Sequence, residues 1–169
     1  AICEEYAAKD SRFRAIHRRN KGVSVARNAG IRESKGEWIY FCDSDDYVYP
    51  EALATLVKDS TNGVDLVCAG YIVVDEKDEI QRTVPAHESE IISREEMLRR
   101  LIWSTEYIYQ GYLWCKLFKA DLIKRNGIQF ERGIHFNEDR LFIARYLCRT
   151  GGRTWFSTQP VYKYVEKES

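Results

Sequence analysis

An apolar run of strand length, residues 37–42 (E-W-I-Y-F-C), leads directly into the acidic sequence Asp43-Ser44-Asp45-Asp46. A short aromatic run of this kind predicts a buried strand. Helix and strand patterns alternate around it, because Val23–Glu33 and residues 51–58 predict helices and residues 65–74 predict the next strand. This βαβ-type rhythm predicts an α/β fold in which helices flank a mostly parallel sheet.

The second half of the chain adds elements without a linker-like stretch, which predicts a single domain over residues 1–169. Ser93 and Glu96 form a capping box, which predicts a helix to about Trp103. Asn137 is the predicted cap of a helix over residues 138–149. We also expect a short helix at 121–126, a hairpin over 71–84 and strands at 13–17, 153–159 and 161–165.

Charge and cysteine usage narrow the class of protein. Lysine and arginine together number 26, as do aspartate and glutamate, so the chain lacks the basic excess typical of nucleic-acid binders. No apolar run approaches the ~20 residues that span a bilayer, so any membrane attachment is expected to be peripheral or to lie outside this sequence. The five unpatterned cysteines predict reduced thiols and a cytoplasmic location rather than a zinc site. They are Cys3, Cys42, Cys68, Cys115 and Cys148.

The acidic sequence after the predicted strand has two interpretations. Ligands of open α/β sheets bind beyond the carboxyl ends of the strands, where this loop would lie. Three carboxylates within four residues repel one another unless a cation neutralises them, and oxygen ligands suit Mg²⁺ or Mn²⁺. The structural alternative is an acidic turn that stabilises the helix beginning near Pro50.

A second acidic pair, Glu138-Asp139, follows Asn137 at a predicted helix start. Acids in a first helical turn are explained by the helix macrodipole alone. The functional alternative is that one carboxylate projects into a cleft and acts as a general base. His135 lies close enough in sequence to be a competing base, and we rank it behind the two acids.

Residues 20–30 (N-K-G-V-S-V-A-R-N-A-G) run from a loop into the predicted helix. Gly22 would let the backbone approach a ligand, and the helix start offers N–H groups to an anion, with Lys21 and Arg27 adding charge. A packing helix with exposed basic ends explains the same pattern. The segment lacks the spacing of a phosphate-binding loop or a dinucleotide fingerprint.

Taken in order, these motifs resemble the family-2 glycosyltransferases, which have the GT-A fold of nucleotide-diphospho-sugar transferases. The resemblance covers essentially the whole chain and is closest to the bacterial branch that builds capsular, exopolysaccharide or lipopolysaccharide glycans. It rests on N-K-G-V-S-V-A-R-N-A-G-I (20–31), K-G-E-W-I-Y-F-C-D-S-D-D (35–46), L-W-C-K-L-F-K (113–119), H-F-N-E-D-R-L-F (135–142) and V-Y-K-Y (161–164).

The resemblance implies a D-x-D motif at Asp43 and Asp45 that holds Mn²⁺ or Mg²⁺ and the diphosphate of the donor. By this resemblance Asp45 serves the metal, and Asp43 serves both the metal and the nucleotide side. Lys21, Arg27 and Asn28 would border the nucleotide-sugar pocket.

The acidic pair near residue 138 also matches a motif of this family. Its aspartate corresponds to Asp139, which the resemblance implies is the catalytic base, with Glu138 beside it. One base without a second nucleophile implies inversion of the anomeric configuration. The expected partners are a nucleoside-diphosphate sugar, with UDP as the nucleotide, and a glycan or lipid-linked acceptor.

One departure from the family concerns the beginning of the chain. Family members start with a strand of the V-S-V-I-I-P-x-Y-N type and continue to a strand ending in D-D-G-S, and this sequence contains neither. We therefore expect the first nucleotide-binding elements to lie upstream of Ala1 and the isolated chain to be inactive. Two other classes remain open, namely a sugar nucleotidyltransferase and a non-catalytic sugar-binding module of the same fold.

Overall fold

A computed structural model of the chain describes residues 2–85 and 88–166. The α-helices in these ranges are α1 (Ile2–Lys9), α2 (Val23–Glu33), α3 (Ala52–Ser60), α4 (Arg94–Trp103), α5 (Ala120–Arg125) and α6 (Glu138–Thr150). The strands are β1 (Trp38–Tyr40), β2 (Tyr47–Val48), β3 (Leu66–Val74), β4 (Ile80–Val84), β5 (Glu90–Ile92), β6 (Lys116–Lys119) and β7 (Thr154–Val165). A single 3₁₀ turn, Tyr107–Tyr109, follows α4.

The strands form one mixed sheet in the order β1-β6-β3-β7-β2, with β4 added to β3 and β5 added to β7. The predicted α/β class is confirmed, but the sheet is not mostly parallel. Among the strand pairs of the described residues, only β3 and β7 are parallel. The strands β1, β3 and β7 do run in one direction, as the rhythm predicted. However, β6 lies between β1 and β3 and is antiparallel to both.

Local patterns predicted most of the individual elements. The helix α2 has the predicted bounds, and the Ser93 hydroxyl accepts a hydrogen bond from the Glu96 N–H at 3.2 Å, which confirms the capping box. The strand predicted at residues 13–17 is wrong, since this segment is an exposed loop. Strand structure requires a hydrogen-bonded neighbour, and none of the described strands pairs with these residues.

A cluster of phenylalanine rings forms the part of the core that lies under the acidic segments. The Phe142 ring, from α6, stacks on Phe130 with centroids 4.1 Å apart and planes 4° from parallel. Phe41, which follows β1, meets the edges of Phe118, Phe130 and Phe142 at 5.6–5.8 Å. The end of β1 and the start of α6 are therefore fixed against the same rings, although about 100 residues separate them.

None of the helices in the described ranges is both long enough and apolar enough to cross a membrane. The five cysteines are free thiols, and Cys68 and Cys115 are buried.

The packing of Phe142 predicts a large loss of stability when its ring is removed. Phe142→Ala should lower the free energy of unfolding by about 3–5 kcal/mol, because a fully buried ring is replaced by a cavity. Phe136→Ala is the matched control, because the Phe136 side chain is 81% exposed, and it should change stability by at most about 0.5 kcal/mol. Denaturant titration of both variants measures the difference. Equal losses would contradict this assignment of the core.

Candidate active site

Arg27, on α2, lies at the centre of a cluster of charges drawn from three separate segments. Its guanidinium donates to Asp43 Oδ1 at 3.0 Å and to Glu138 Oε1 at 3.3 Å, and it makes its closest contact with Asp139. The Arg27 side chain is only 12% exposed, so these charges interact with limited screening by water. The structure thus brings Arg27 of the basic segment together with Asp43, from the loop after β1. It also brings Arg27 together with both acids at the start of α6, Glu138 and Asp139.

Asn28 explains how α2 is positioned for this contact. Its amide nitrogen donates to the carbonyl oxygen of Phe130 at 2.9 Å, and its amide oxygen accepts from the Phe130 N–H at 2.8 Å. These two bonds fasten α2 to the segment that precedes α6. The resemblance implied that Asn28 borders the nucleotide-sugar pocket. The structure instead buries this side chain and uses both ends of its amide within the fold.

The three acids after β1 point to different surroundings. Asp43 turns to Arg27, and Asp45 is exposed. Asp46 turns towards β7, where its carboxylate accepts a hydrogen bond from the Tyr162 hydroxyl at 2.8 Å and another from the Val165 N–H at 2.9 Å. The Tyr162 oxygen in turn accepts from the Asp43 N–H at 3.2 Å. Burial raises the pKa of the Asp46 carboxyl.

The sequence interpretation did not include Tyr162 and Asp46 in the site. These residues fix the backbone of the loop that carries Asp43 and Asp45. The only sequence pattern that pointed to Tyr162 was the V-Y-K-Y motif, and no spacing rule links it to a loop more than 100 residues earlier.

A divalent cation fits this loop when a substrate supplies part of the coordination. Within residues 2–85 and 88–166, no three His, Cys, Asp or Glu side chains converge in a way that could hold a metal ion on their own. Asp43 and Asp45 nevertheless offer carboxylate oxygens, and Mg²⁺ in proteins is commonly bound by one or two carboxylates together with substrate phosphates. The chemistry of these donors matches that mode of binding.

The start of α6 places the second acidic pair against Arg27. Asn137 occupies the predicted N-cap position, but it has left-handed backbone angles (φ 60°, ψ 19°) and its side chain makes no capping hydrogen bond. The predicted cap position is therefore confirmed, whereas a capping side chain is not formed. Asparagine tolerates this backbone conformation better than most residues do.

Burial raises the pKa of the Asp139 carboxyl to about 7, and the Arg27 charge acts in the opposite direction. The neighbouring Glu138 and Asp43 carboxylates raise this pKa further. A carboxyl group that titrates near neutral pH within a cleft is suited to exchange a proton with a substrate.

A cavity of about 470 Å³ opens beside this pair. Its wall is formed by Gln110, Gly111, Tyr112 and the residues from Phe136 to Arg140. His135, the competing base in the sequence interpretation, is exposed and does not line the cavity.

Lys21 lies apart from this cluster. It is exposed in the loop before α2, where it lines another cavity of about 400 Å³ with Arg14, Arg18 and Arg19. Gly22, with φ of 88°, precedes the first turn of α2 and also lines this cavity. The basic side chains and the helix N-terminus together make this a suitable place for an anion.

Residues 1–124 match the sequence family described as Glycosyl transferase family 2. The chain belongs to this family. It is 32% identical over 142 residues to the uncharacterized glycosyltransferase EpsJ of Bacillus subtilis, a match that covers 83% of the chain and 41% of EpsJ. It is 30% identical over 171 residues to the putative glycosyltransferase EpsH of the same organism, covering 96% of the chain and 47% of EpsH.

The fold is shared with a solved structure of TarS. Staphylococcus aureus TarS 1–349, crystallised in complex with UDP-GlcNAc, superposes with a TM-score of 0.74 at 20% identity, over 99% of this chain and 46% of that one. The family-2 resemblance and the GT-A fold class are thus confirmed. The chain spans less than half the length of EpsJ and EpsH, and Glu138 and Asp139 lie outside the residues matched to the family.

The charge cluster predicts how the pKa of Asp139 responds to a substitution. Arg27→Gln should raise this pKa above about 7, because Arg27 is the group that lowers it. Titration of the Asp139 carboxyl carbon by NMR measures the shift. Arg14→Gln is the control, since Arg14 pairs with Glu33 instead, and it should leave the Asp139 titration unchanged. A lower pKa in Arg27→Gln would contradict the cluster.

The raised pKa of Asp139 in the folded protein makes folding stability depend on pH. The unfolded pKa of an aspartate is about 3.9, so between about pH 4 and pH 7 the folded state holds more protons at Asp139 than the unfolded state does. The contribution of Asp139 to stability is therefore fully present below about pH 4 and is lost as the pH rises through about 7. Asp139→Asn should remove this decline in a series of denaturant titrations.

Proposed function

We propose that this chain carries the catalytic residues of a metal-dependent, inverting glycosyltransferase. The reaction transfers a sugar from a UDP-sugar to a hydroxyl group of a glycan or lipid-linked acceptor in the synthesis of capsule, exopolysaccharide or lipopolysaccharide. The observation that carries the proposal is the convergence of Asp43, Glu138 and Asp139 on the half-buried Arg27. Family membership favours this reaction over that of a sugar nucleotidyltransferase.

On the donor side, Asp45 and Asp43 are the residues that would hold a Mn²⁺ or Mg²⁺ ion together with the diphosphate. Such an ion, when bound, stabilises the negative charge that develops on the departing diphosphate. Arg27 provides further positive charge for the nucleotide sugar. The complex of the similarly folded TarS with UDP-GlcNAc supports a UDP-sugar as the donor.

On the acceptor side, Asp139 is the general base and Glu138 assists it. Asp139 takes the proton from the acceptor hydroxyl as that oxygen attacks the anomeric carbon, and the bond from this carbon to the diphosphate breaks. A direct displacement of this kind inverts the configuration. The raised pKa of Asp139 suits a group that accepts a proton near neutral pH, and such assistance contributes ~10²–10⁴-fold in rate.

We place this reaction in a single catalytic domain on the cytoplasmic side, at or near the inner face of the membrane. The free thiols of the five cysteines are compatible with a reducing compartment.

Asp45→Asn tests the donor site. In the intact protein that carries this chain, the substitution should abolish Mn²⁺-dependent binding of UDP in calorimetry, because a neutral amide oxygen binds a divalent cation more weakly than a carboxylate does. Asp121→Asn removes an acid exposed on α5 and should leave the affinity unchanged. If Asp45→Asn keeps Mn²⁺-dependent affinity, the acidic loop serves only the following helix.

Asp139→Asn tests the base. In the intact protein that carries this chain, transfer should fall by roughly 10²-fold or more while the affinity for UDP stays the same, since only removal of the proton is lost. The assay follows UDP released from UDP-GlcNAc in the presence of methyl β-D-glucopyranoside. Glu138→Gln is the paired variant and should cost less.

The pair of variants has clear contrary outcomes. An active Asp139→Asn with an inactive Glu138→Gln would assign the base to Glu138. Unchanged turnover in both variants would show that neither Glu138 nor Asp139 is the base. Release of pyrophosphate instead of UDP would indicate a nucleotidyltransferase, and binding of UDP without turnover would indicate a sugar-binding module.

A further inference from the structure

The cavity beside Asp139 is bordered by two aromatic side chains that the proposed mechanism does not use. Phe136, which comes just before the acidic pair, is 81% exposed, and Tyr112 is also exposed. Both line the cavity together with Glu138 and Asp139. A ligand that covers the Phe136 ring would remove apolar surface from water, which favours binding.

A buried lysine fixes the loop that carries Tyr112. Lys116 is 0% exposed, and its ammonium group donates to the carbonyl oxygens of Gln110 at 3.1 Å and Tyr112 at 2.7 Å. Burial of an ammonium group is unfavourable unless its N–H groups are bonded, so these carbonyls are held in place as its acceptors. Lys116 therefore determines the position of one wall of the cavity.

Gly111 brings the same loop against the first turn of α6. A Cβ atom at position 111 would lie 2.6 Å from Arg140 Cβ and 2.7 Å from Arg140 Cα, closer than side chains can approach. The Arg140 side chain also contacts that of Gln110. The loop is thus packed directly against the helix start that carries Asp139.

The ring of Tyr112 has a defined orientation. It stacks on Trp114 with centroids 5.0 Å apart and planes 13° from parallel, and it meets Tyr71 edge-on at 5.9 Å. A ring held by its neighbours offers contact area without losing conformational entropy when a ligand binds.

We propose that this cavity binds a pyranose ring of the acceptor, with the C–H face of the sugar against Phe136 and Tyr112 and a hydroxyl group towards Asp139. The inference rests on the proposed function, whose acceptor class it narrows to pyranosides. A pyranose has an apolar face and a polar rim, which match the aromatic and acidic sides of the cavity. The cavity volume of about 470 Å³ is typical of a small-ligand site.

Saturation-transfer NMR with methyl β-D-glucopyranoside tests the proposal. Phe136→Leu keeps apolar bulk but removes the aromatic ring, and it should weaken binding of the probe by about three- to tenfold. Phe136→Trp should retain binding. Trp103→Leu is the matched control, because Trp103 is 78% exposed on α4 and does not line this cavity, so it should have no effect.

Lys116→Met tests the positioning role of the buried lysine. It should weaken binding of the probe while UDP affinity, measured by calorimetry, stays the same, since the Lys116 ammonium group bonds to Gln110, Tyr112 and Cys115, none of which is a proposed donor-site residue. Unchanged binding of the probe would refute this role. Because loss of the buried cation can unfold the chain, the Phe136 variants carry the test of the site independently.

Two results would overturn the pyranose site. One is the absence of binding of the pyranoside by the unaltered protein at tens of millimolar. The other is that ribitol, an acyclic polyol without a ring face, binds as tightly as the pyranoside or more tightly, and that Phe136→Leu does not change this binding. Neither result bears on Mn²⁺-dependent binding of UDP, so failure here is distinguishable from failure of the proposed function.

Discussion

The ion cluster around Arg27 is the interaction on which the rest of the site depends. One guanidinium contacts carboxylates from the loop after β1 and from the start of α6. The three acids repel one another, and partial burial also removes part of their hydration. The positive charge of Arg27 offsets both unfavourable effects. The cluster therefore couples the donor-side acid Asp43 to the proposed base Asp139, and an anionic donor would compete with these acids for the same guanidinium.

The fold supports this charge through contacts on either side of it. Asn28 fastens the helix of Arg27 to the Phe130 backbone, and the guanidinium carbon lies 5.5 Å from the centroid of the Phe130 ring. Phe130 in turn stacks on Phe142 from α6. On the other side, Tyr162 and Asp46 fix the loop that carries Asp43. The positions of the charged groups are thus set by buried amide, hydroxyl and aromatic contacts, and the residues that make these contacts have no proposed role in the reaction itself.

Several features could be predicted because they depend on neighbours in sequence. The bounds of α2, the capping box at Ser93 and the placement of an acidic loop directly after β1 follow from periodicity and local hydrogen bonding. The predicted strand at residues 13–17 and the mostly parallel sheet failed for a different reason. Strand pairing is a contact between distant segments, and the insertion of β6 between β1 and β3 leaves no trace in the local pattern of either strand.

The sequence by itself determined which residue types were available for chemistry, namely two acidic motifs and a basic segment, and it determined the family through their order. Only the tertiary structure decided how these residues are used. In the folded chain, Asp46 bonds to Tyr162 while Arg27 lies among the acids of the site. Asn28 is buried and bonds to the Phe130 backbone, and Lys21 lines another cavity. The physical reason is that charge neutralisation and burial depend on distances across the fold, which spacing along the chain does not encode.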